Sequence, residues 1–586
     1  QQYQIVGLNG LTMFSGNPYI PAALQQQMTA LGVPAFLMGR LDTDLGPPAT
    51  ADALNDTYNV VAGLKFDAGG GWTVDAYYEH GDNRQRIDTL NNVDYGHLYA
   101  AADAVTDPAT GSPVCRVTLT NPGLYPGCVP INLFGQGSPS KAAADYVLGT
   151  SWYITRLHQD VGSASVRGEP FSTWAGPVSL GGGAEYRREA VDQTSDPVSQ
   201  QVNSATGIPG FPSTLAGGLG GWMLTNAQPV SGSYDIKETF FEFLVPLAKG
   251  LPGARALDLN AAVRYADYST SGGVTSWKGG LSWKPIDDLR LRATRSRDIR
   301  APNIAELYAG SMEGQTVVFD RQNNNASTPV VTNQVGNPGL KPEIADTFTG
   351  GFVYQPSWLS GFSASMDYYN IDLKGAISSL TAQQTVDECA AGSASVCADV
   401  ERNSAGAISR IDLPNLNLDA IKTSGVDFEA NYLAPLSAGT LRLRAIASYL
   451  DTFISEVPGA PTINYAGEVG LTSNPRWSGN VNATYEAGPF RGFLQERVIG
   501  SGRYDVTQVQ NVTIDDNNVE AIYYTDMTLG YVMGKKANYQ MFLTINNLFN
   551  RDPPIIPSGN LIFFPTNTSL YDVVGRYFTI GIKGKL

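Results

Sequence analysis

The strongest constraint in this sequence is an alternation of apolar and polar side chains that continues for many residues. Near the C-terminus Phe578, Ile580 and Ile582 occupy alternate positions, and Tyr577 and Thr579 alternate with them. Because the side chains of a β-strand point alternately to its two faces, the pattern predicts one apolar and one polar face. Such a strand is typical of a barrel wall between lipid and an aqueous lumen.

The same alternation recurs elsewhere in the chain, at 72–79, 257–265, 426–432 and 441–448. A soluble β-sandwich, with the apolar face on a core, is the alternative interpretation. The runs are about 10–14 residues long, whereas strands of soluble proteins usually have about 5–6. Their number would also require several sandwiches, so we favour one large sheet.

The connections between the runs differ in length in a regular way. Short connections are predicted at 284–288, 355–358, 434–437, 486–489 and 534–536. Long connections separate them, at 193–233, 300–343, 374–420, 504–519 and 548–571. Short turns at one end and long loops at the other are typical of outer-membrane barrels.

Counting back from the C-terminus predicts 17 strands and a weaker candidate near 3–14, about 18 in all. The 17 runs are 57–67, 72–82, 150–168, 178–192, 234–247, 255–268, 273–284, 288–299, 344–355, 361–373, 421–433, 438–453, 475–486, 489–503, 520–532, 537–547 and 572–585. A helix is predicted inside one loop, at 140–146. The predicted fold class is all-β, a transmembrane antiparallel β-barrel that occupies 1–586.

Hydropathy and charge argue against a helical membrane protein and against a nucleic-acid-binding protein. The chain of 586 residues contains no apolar run of about 18 residues, so no transmembrane helix is predicted. The formal net charge is −15. Because phosphate contacts need clustered Lys and Arg, this balance argues against nucleic acid as a partner.

The four cysteines form two local pairs, Cys115 with Cys128 and Cys389 with Cys397, in stretches predicted as loops. Disulfides in such loops suit an oxidising compartment. Zinc is the alternative, but it needs four converging ligands. Neither pair has the C-x2-C spacing or a nearby histidine, so we expect disulfides and no metal site.

Catalytic chemistry has little support. The only histidines are His80, His97 and His158, and no G-x-S-x-G, H-E-x-x-H or Walker A motif occurs. We therefore expect neither an enzyme nor a cofactor.

Four segments, in order along the chain, resemble motifs of the TonB-dependent outer-membrane receptors. Residues 289–308 (LRLRATRSRDIRAPNIAELY) look like the mid-barrel strand and loop of that family, and 337–343 (NPGLKPE) is similar to its N-P-x-L-K-P-E segment. Residues 366–373 (MDYYNIDL) resemble the following strand, and 545–550 (INNLFN) resemble the N-N-L-F motif before the last loop. The resemblance covers essentially the whole chain.

The resemblance implies a 22-stranded barrel, an N-terminal plug domain inside it and a TonB box. The residues before Tyr3 match neither a plug nor a TonB box, and the strand count leads us to expect that about the first four strands of this pattern lie outside the chain. Because open strand edges are not tolerated in lipid, we expect an N-terminal plug fragment or chain to complete the barrel. The alternative is that 18 strands close alone. Expected partners are TonB through that plug, outer-membrane lipid, lipopolysaccharide and a surface lipoprotein.

The alternation and the loops supply candidate site residues. Six residues are expected to face the lumen, either as a polar wall or as contacts to a plug or an anionic solute: Arg264, Arg290, Arg292, Thr294, Arg442 and Arg444. Three clustered arginines are expected to meet lipopolysaccharide phosphates: Arg295, Arg297 and Arg300. Aromatic loop residues are candidates for stacking on a ligand, with loop packing as the alternative: Tyr125, Phe134, Tyr308, Phe319, Phe563 and Phe564.

Three functions remain open at this point. The first is an energised receptor that imports a large solute (a glycan, siderophore or peptide) bound by extracellular loops. The second is a passive porin, and the third is a structural or adhesive outer-membrane barrel. Long loops on a rigid scaffold favour the receptor, because recognition concentrates on such loops.

Overall fold

The structure is a computed structural model that describes residues 3–4, 9–310, 312–403, 406–456, 461–534, 539–556 and 565–584. Strands account for 58% and helices for 9%, so the all-β class is confirmed. One antiparallel sheet of 18 strands dominates the fold. Its long antiparallel strands agree with the barrel wall that the alternation predicts.

Seventeen of the 18 strands are long, and each pairs antiparallel with the next along the chain. They are β1 (Thr50–Gly69), β2 (Trp72–Val93), β3 (Leu148–Thr173), β4 (Gly176–Ser195), β5 (Val230–Leu251), β6 (Ala254–Tyr268), β7 (Gly272–Ile286), β8 (Leu289–Arg300), β9 (Glu343–Tyr354), β10 (Phe362–Ser378), β11 (Leu416–Leu436), β12 (Gly439–Glu456), β13 (Trp477–Ala487), β14 (Phe490–Ile499), β15 (Ile522–Met533), β16 (Tyr539–Asn546) and β17 (Tyr577–Gly584). All 17 predicted runs overlap one of these strands.

The weaker strand candidate near 3–14 was wrong as part of the wall. Tyr3–Gln4 pairs with Arg40–Leu41, and Leu11–Phe14 pairs with Ala35–Met38, in two separate small sheets. The short strand Ile463–Asn464, which pairs with β12, is the eighteenth strand instead. Alternation misleads here because Leu11 and Met13 enter a core formed by loops.

The connections divide between two ends of the sheet, as predicted. At one end β1–β2, β3–β4, β5–β6 and β7–β8 are each joined by two residues. At the other end the connections 94–147, 196–229, 301–342 and 379–415 are long. The connection 269–271 is the exception, because it is short but lies at the long-loop end.

The two faces of the sheet differ as the alternation requires. In the last two strands Leu543 pairs with Ile580, and Met541 pairs with Ile582. Ile580 is 78% exposed and Ile582 is 69% exposed, which fits a lipid-facing surface. Thr579, directly before Ile580 in the strand, lies on the opposite face. We call the apolar face outward and the polar face lumenal.

Eight helices occur among the described residues, all outside the 17 long strands. They are α1 (Ala22–Leu31), α2 (Tyr95–Ala102), α3 (Arg116–Thr120), α4 (Lys141–Val147), α5 (Pro197–Gln200), α6 (Ile304–Tyr308), α7 (Ala382–Ala390) and α8 (Ala394–Cys397). The helix predicted at 140–146 is α4, and the Ser140 hydroxyl caps it by accepting from the Ala143 N–H. None of the described helices is both long and apolar enough to cross a membrane.

Candidate functional site

The long connections fold into three packed clusters at one end of the sheet. We define them by their described residues: module A is 9–49, 94–147 and 196–229; module B is 301–342 and 379–415; module C is 461–476, 500–521 and 547–576. The loops are thus built structures, as a binding surface requires.

Module A has a continuous apolar core that joins three parts of the chain. Leu11 and Met13 come from the segment before β1, Leu98 and Ile131 come from the β2–β3 connection, and Ile208 comes from the β4–β5 connection. Each of the five is at most 2% exposed. The segment before β1 is therefore held by the loops that follow it.

Both predicted disulfides are present. Cys115–Cys128 lies in module A, and Cys389–Cys397 links α7 to α8 in module B. The zinc alternative is wrong, since these four thiols are bonded to one another. Among the described residues no group of three or more His, Cys, Asp or Glu side chains is placed to hold a metal.

Module B is a small sheet with a buried ion pair. Its strands, in order across the sheet, are Met312–Asp320, Ala326–Val335, Ile408–Pro414 and Val400–Arg402. Arg402 donates from Nη1 and Nη2 to the Asp320 carboxylate at 2.7 and 2.9 Å. Hydrogen bonding to this guanidinium holds the pKa of Asp320 below its usual range. The pair ties the first strand of the sheet to the last.

Module C has a smaller core, in which Val469, Ile556 and Tyr571 pack with Tyr524 of β15. The Glu468 side chain is 1% exposed, and its Oε2 accepts from the Val506 N–H at 2.8 Å. Burial raises the pKa of Tyr571 to about 12, so its hydroxyl stays protonated at neutral pH.

A cavity of about 210 Å³ lies where modules A and B meet. It is lined by Tyr95, Asn203, Leu215, Gly218, Gly220, Trp222, Met223 and Asn226 from module A, and by Gly314 and Val331 from module B. Among the described side chains, this lining contains two aromatic residues and two amides, and none that is charged.

Trp222 is the best-fixed residue of this cavity. The Asn226 side chain accepts from the Trp222 N–H at 3.0 Å and donates to the Trp222 carbonyl at 2.6 Å. The indole Nε1 donates to Asp196 Oδ1 at 2.9 Å. Burial opposes ionisation of Asp196, but hydrogen bonds from Ser199 and Trp222 outweigh it and lower the pKa of that carboxyl.

The sequence interpretation did not single out these cavity residues. The available signal was a glycine-rich stretch, Gly217 to Gly221, directly before Trp222. Gly217 and Gly220 have positive φ, which shapes the loop that carries the ring. Nothing in the sequence shows that Val331, more than 100 residues later, lies across the cavity from it.

The predicted ligand aromatics have different surroundings. Tyr125 and Phe134 pack against the core of module A, and Tyr308 packs near β5 with its hydroxyl donating to the Ser233 carbonyl at 3.0 Å. Phe319 is 51% exposed in module B. Residues 563 and 564, the other two candidates, lie outside the described residues. Among the four described candidates, Phe319 is the most exposed.

The candidate lumen residues of β8 lie on the lumenal face. Arg290, Arg292 and Thr294 alternate with Leu291 and Ala293 on the outward face. Leu291 pairs with Trp283 of β7 and with Phe352 of β9. The face opposite these apolar pairs is the one that carries the three candidates.

The other lumen candidates occupy the same face, and several are neutralised there. Arg264 contacts Glu238 across β5 and β6, and Arg444 donates from Nε to Glu429 at 3.0 Å. Arg442 is two residues from Arg444 and shares its face. With Arg292, which binds Asp367, three of the five candidate lumen arginines are paired with carboxylates.

The three lipopolysaccharide candidates do not share one face. Arg295 and Arg297 point outward, and Arg297 binds Asp346 of β9 with two contacts of 3.0 Å. Arg300 lies on the lumenal face, where it is bonded to Glu343 and Glu306. The end of β8 therefore carries two arginines that point outward and one, Arg300, that is held in ion pairs on the lumenal face.

Comparison with known proteins identifies the family. The family described as TonB dependent receptor-like, beta-barrel matches residues 30–548. This chain belongs to that family. Members are outer-membrane β-barrels of Gram-negative bacteria and act as transport receptors, not enzymes, so the expectation of a non-enzyme is confirmed. No curated protein matches the chain.

Solved structures share the TonB-dependent receptor fold at low sequence identity. A ferric enterobactin receptor from Pseudomonas aeruginosa is 16% identical with a TM-score of 0.56, and the match covers 91% of this chain and 62% of that one. The siderophore receptor PirA from Acinetobacter baumannii is 13% identical with a TM-score of 0.53, covering 91% and 63%. The chain therefore spans less than two thirds of these receptors' own length.

Proposed function

We propose that the chain is the barrel part of an outer-membrane receptor that imports a large solute by TonB-dependent active transport. The observation that carries this proposal is the packing of the long connections into three modules at one end of the wall. A passive pore needs no such construction, whereas a receptor needs a fixed surface that captures its ligand.

The ends of the sheet support a missing N-terminal part. All 20 residues of β1 are exposed, and seven of the eight residues of β17 are exposed. Only two of the 22 residues of β2 are exposed. Unpaired edges are unfavourable in lipid. We therefore assign the missing barrel strands to the same N-terminal part as the plug, placed between β1 and β17.

The start of β1 fits this arrangement. Thr50 pairs with Leu90, close to the long connection that follows β2, so β1 begins at the loop end. The segment 9–49 before it packs into module A. A strand preceding this segment would reach the same end, and 9–49 would be its extracellular loop. TonB would act on the plug carried by that N-terminal part.

The receptor would lie in the outer membrane, with the outward face against lipid and its loop-end charges against lipopolysaccharide. Arg295 and Arg297 are the outward cations we assign to that contact. A surface lipoprotein would bind the modules from outside. The siderophores of the matched receptors are one substrate class to consider, and glycans and peptides are others.

Uptake in cells with and without TonB tests the proposal. The receptor gene, with its N-terminal part, should support accumulation of its labelled solute only when TonB is present. Equal accumulation without TonB would indicate a passive pore. Conductance of the purified protein in a planar bilayer gives an independent measure, because a plugged receptor should show almost none.

A further inference from the structure

Module C differs from modules A and B in the partners of its cations. Modules A and B contain seven Lys and Arg residues, and all but Lys341 form ion pairs with carboxylates: Arg40, Arg116, Lys141, Arg321, Arg402 and Arg410. Module C contains four arginines: Arg476, Arg503, Arg551 and Arg576. Among the described residues, no carboxylate oxygen lies within 4.0 Å of a guanidinium nitrogen of these four.

Acids of module C are bonded to backbone amides instead. Glu468 Oε2 accepts from the Val506 N–H at 2.8 Å, and Asp505 Oδ1 accepts from the Thr507 N–H at 2.8 Å. These two carboxylates therefore stabilise the loop backbone rather than pairing with an arginine. The undescribed residues 457–460 and 557–564, which belong to the same connections, include no acidic residue.

Two of the four arginines, Arg476 and Arg503, line a cavity of about 550 Å³ in module C. Both are anchored at Gly467. The Gly467 carbonyl accepts from the Arg503 N–H at 2.8 Å, and Arg476 lies over Gly467, where a Cβ would be 3.3 Å from its Cγ and 3.4 Å from its Nε. Arg476 Nη1 also donates to the Asp451 carbonyl at 3.0 Å. The backbone thus places two guanidinium groups at one cavity.

The same cavity also carries one negative charge. Arg503 pairs with Asn518 in a short antiparallel ladder, and Glu520 follows this ladder and lines the cavity. Glu520 is exposed, and no described cation lies within 4.0 Å of its carboxylate. It is the only acid among the described lining residues. A purely anionic ligand would bind the arginines but meet this carboxylate, whereas a ligand with both charges would satisfy all three groups.

The remaining lining suits the middle of a small peptide. Ala466, Val506 and Val519 supply apolar surface. The Asn464 side chain also lines the cavity, and its Oδ1 accepts from the Phe453 and Ala466 N–H groups at 3.0 Å, which leaves its amide nitrogen as a donor. The cavity volume lies within the range of about 300–1,000 Å³ that is typical of small-molecule sites.

We infer that this cavity binds a short peptide with free ends, whose carboxylate is bound by Arg476 and Arg503 and whose ammonium group is bound by Glu520. Guanidinium groups present forked N–H donors that match the two oxygens of a carboxylate. This inference rests on the proposed receptor function and narrows its substrate to peptides.

Calorimetric titration of the full-length receptor, N-terminal part included, tests the inference. The probes are dialanine, trialanine and tetraalanine with free ends, the same peptides with an amidated C-terminus or an acetylated N-terminus, and ferric enterobactin and maltotriose. At least one free-ended peptide should bind at micromolar concentration, and more weakly as salt is raised, because salt screens the charges. Blocking either end should weaken binding at least tenfold. Ferric enterobactin and maltotriose should not compete with the peptide.

Three variants locate the two ends of the peptide. Arg503→Gln should weaken binding of the free-ended peptide at least tenfold and leave the weaker binding of the amidated peptide unchanged. Glu520→Gln should do the same for the free-ended and the acetylated peptide. Arg551→Gln is the matched control, because Arg551 is an unpaired arginine of module C that is not among the lining residues, and it should change nothing.

All three substituted side chains are exposed, so the variants should fold, and heat-modifiable migration on gels checks this. If Arg503→Gln misfolds, Glu520→Gln decides. Binding of none of the three free-ended peptides would overturn the inference. Equal binding of blocked and free-ended peptides would also overturn it, as would unchanged binding in folded Arg503→Gln or Glu520→Gln.

The outcomes separate this inference from the proposed function. Ferric enterobactin that competes with the peptide would overturn the inference, and its TonB-dependent uptake would leave the receptor function intact. Uptake of the bound peptide that does not need TonB would overturn the receptor function and leave the ligand class standing.

Discussion

The first and the last strands of the wall differ in length by about twofold. β1 to β5 contain 20 to 26 residues each, whereas β13 to β17 contain 8 to 12. A tilted barrel strand needs about 9–11 residues to cross the hydrocarbon layer. The first strands must therefore continue beyond the membrane, while the last strands end close to it.

The outward face changes character where the long strands leave the membrane. On β2 and β3 His80 Nδ1 lies 2.8 Å from Asp160 Oδ1, and His158 Nδ1 lies 2.6 Å from Asp82 Oδ2. On β17 the outward face carries Ile580 at mid-strand. The outward positions of the strands are therefore apolar where they face lipid and charged where the strands extend beyond it. The extension raises module A above the membrane surface.

The largest expected effect contrasts a charge placed in these two regions. Ile580→Arg puts a cation on the lipid-facing middle of β17 and should destabilise the barrel by about 2–4 kcal/mol. Thr194→Arg adds the same side chain to the outward face of the extended part of β4, where Thr194 is exposed, and should change stability by less than about 0.5 kcal/mol. Urea unfolding in lipid vesicles measures both.

Equal losses of stability in the two variants would contradict the division of the wall into a part in lipid and a part beyond it. If Thr194→Arg cost as much as Ile580→Arg, the extension would lie in lipid, and the strand length would need another explanation. If neither variant lost stability, the outward face of β17 would not face hydrocarbon.

The second prediction concerns the modules that the two halves carry. Modules A and B contain all four cysteines of the chain, and module C contains none. Cys115→Ser with Cys128→Ser should lower the local stability of module A by about 3 kcal/mol, because the open chain regains the entropy of a loop of about 15 residues. Hydrogen exchange should quicken at 94–147 and stay unchanged in module C.

Treatment with reductant provides the matched comparison. It should loosen modules A and B together and spare module C. Faster exchange in module C would show that the three modules depend on one another rather than each on its own core.

The strands of the wall were predictable because, in each of them, apolar side chains that face lipid alternate with polar side chains that face the lumen. All 17 long strands were predicted, but the predicted β2 ended near 82 whereas the strand runs to Val93, and the predicted β1 began at 57 whereas the strand starts at Thr50. Above the membrane the β2 ladder is held by polar cross-strand pairs such as His158–Asp82, so the apolar signal stops before the strand does.

The site was less predictable, because it depends on contacts between loops. The disulfides follow from short spacing, and the lumen arginines follow from alternation. Trp222, in contrast, lines the same cavity as Val331 only because modules A and B lie side by side, and no periodicity in the sequence encodes such packing. For the same reason the apolar residues Leu11 and Met13 suggested a wall strand when they belong to a loop core.

A third, smaller effect is a pH response of module B. Hydrogen bonding to Arg402 depresses the pKa of Asp320, so the stability it contributes is present above the unfolded value of about 3.9 and is lost as pH falls through the folded value. Hydrogen exchange across the module B sheet should quicken below about pH 4. In the Asp320→Asn variant, hydrogen exchange of the module B sheet should already be faster at neutral pH and should quicken little more in acid. If exchange in this variant still quickened in acid as in the wild type, a group other than Asp320 would be responsible.

The smallest expected effect tests whether the extended part of β2 and β3 is in water. The side chains of His158 and Asp82 are 39% and 18% exposed. A double-mutant cycle with His158→Ala and Asp82→Ala should give a coupling below about 1 kcal/mol, weakened further by salt, because exposed ion pairs in water contribute little. A coupling of about 3 kcal/mol or more would be the value of a buried pair. It would place these strands inside a nonpolar environment and remove the distinction between the long and the short half of the wall.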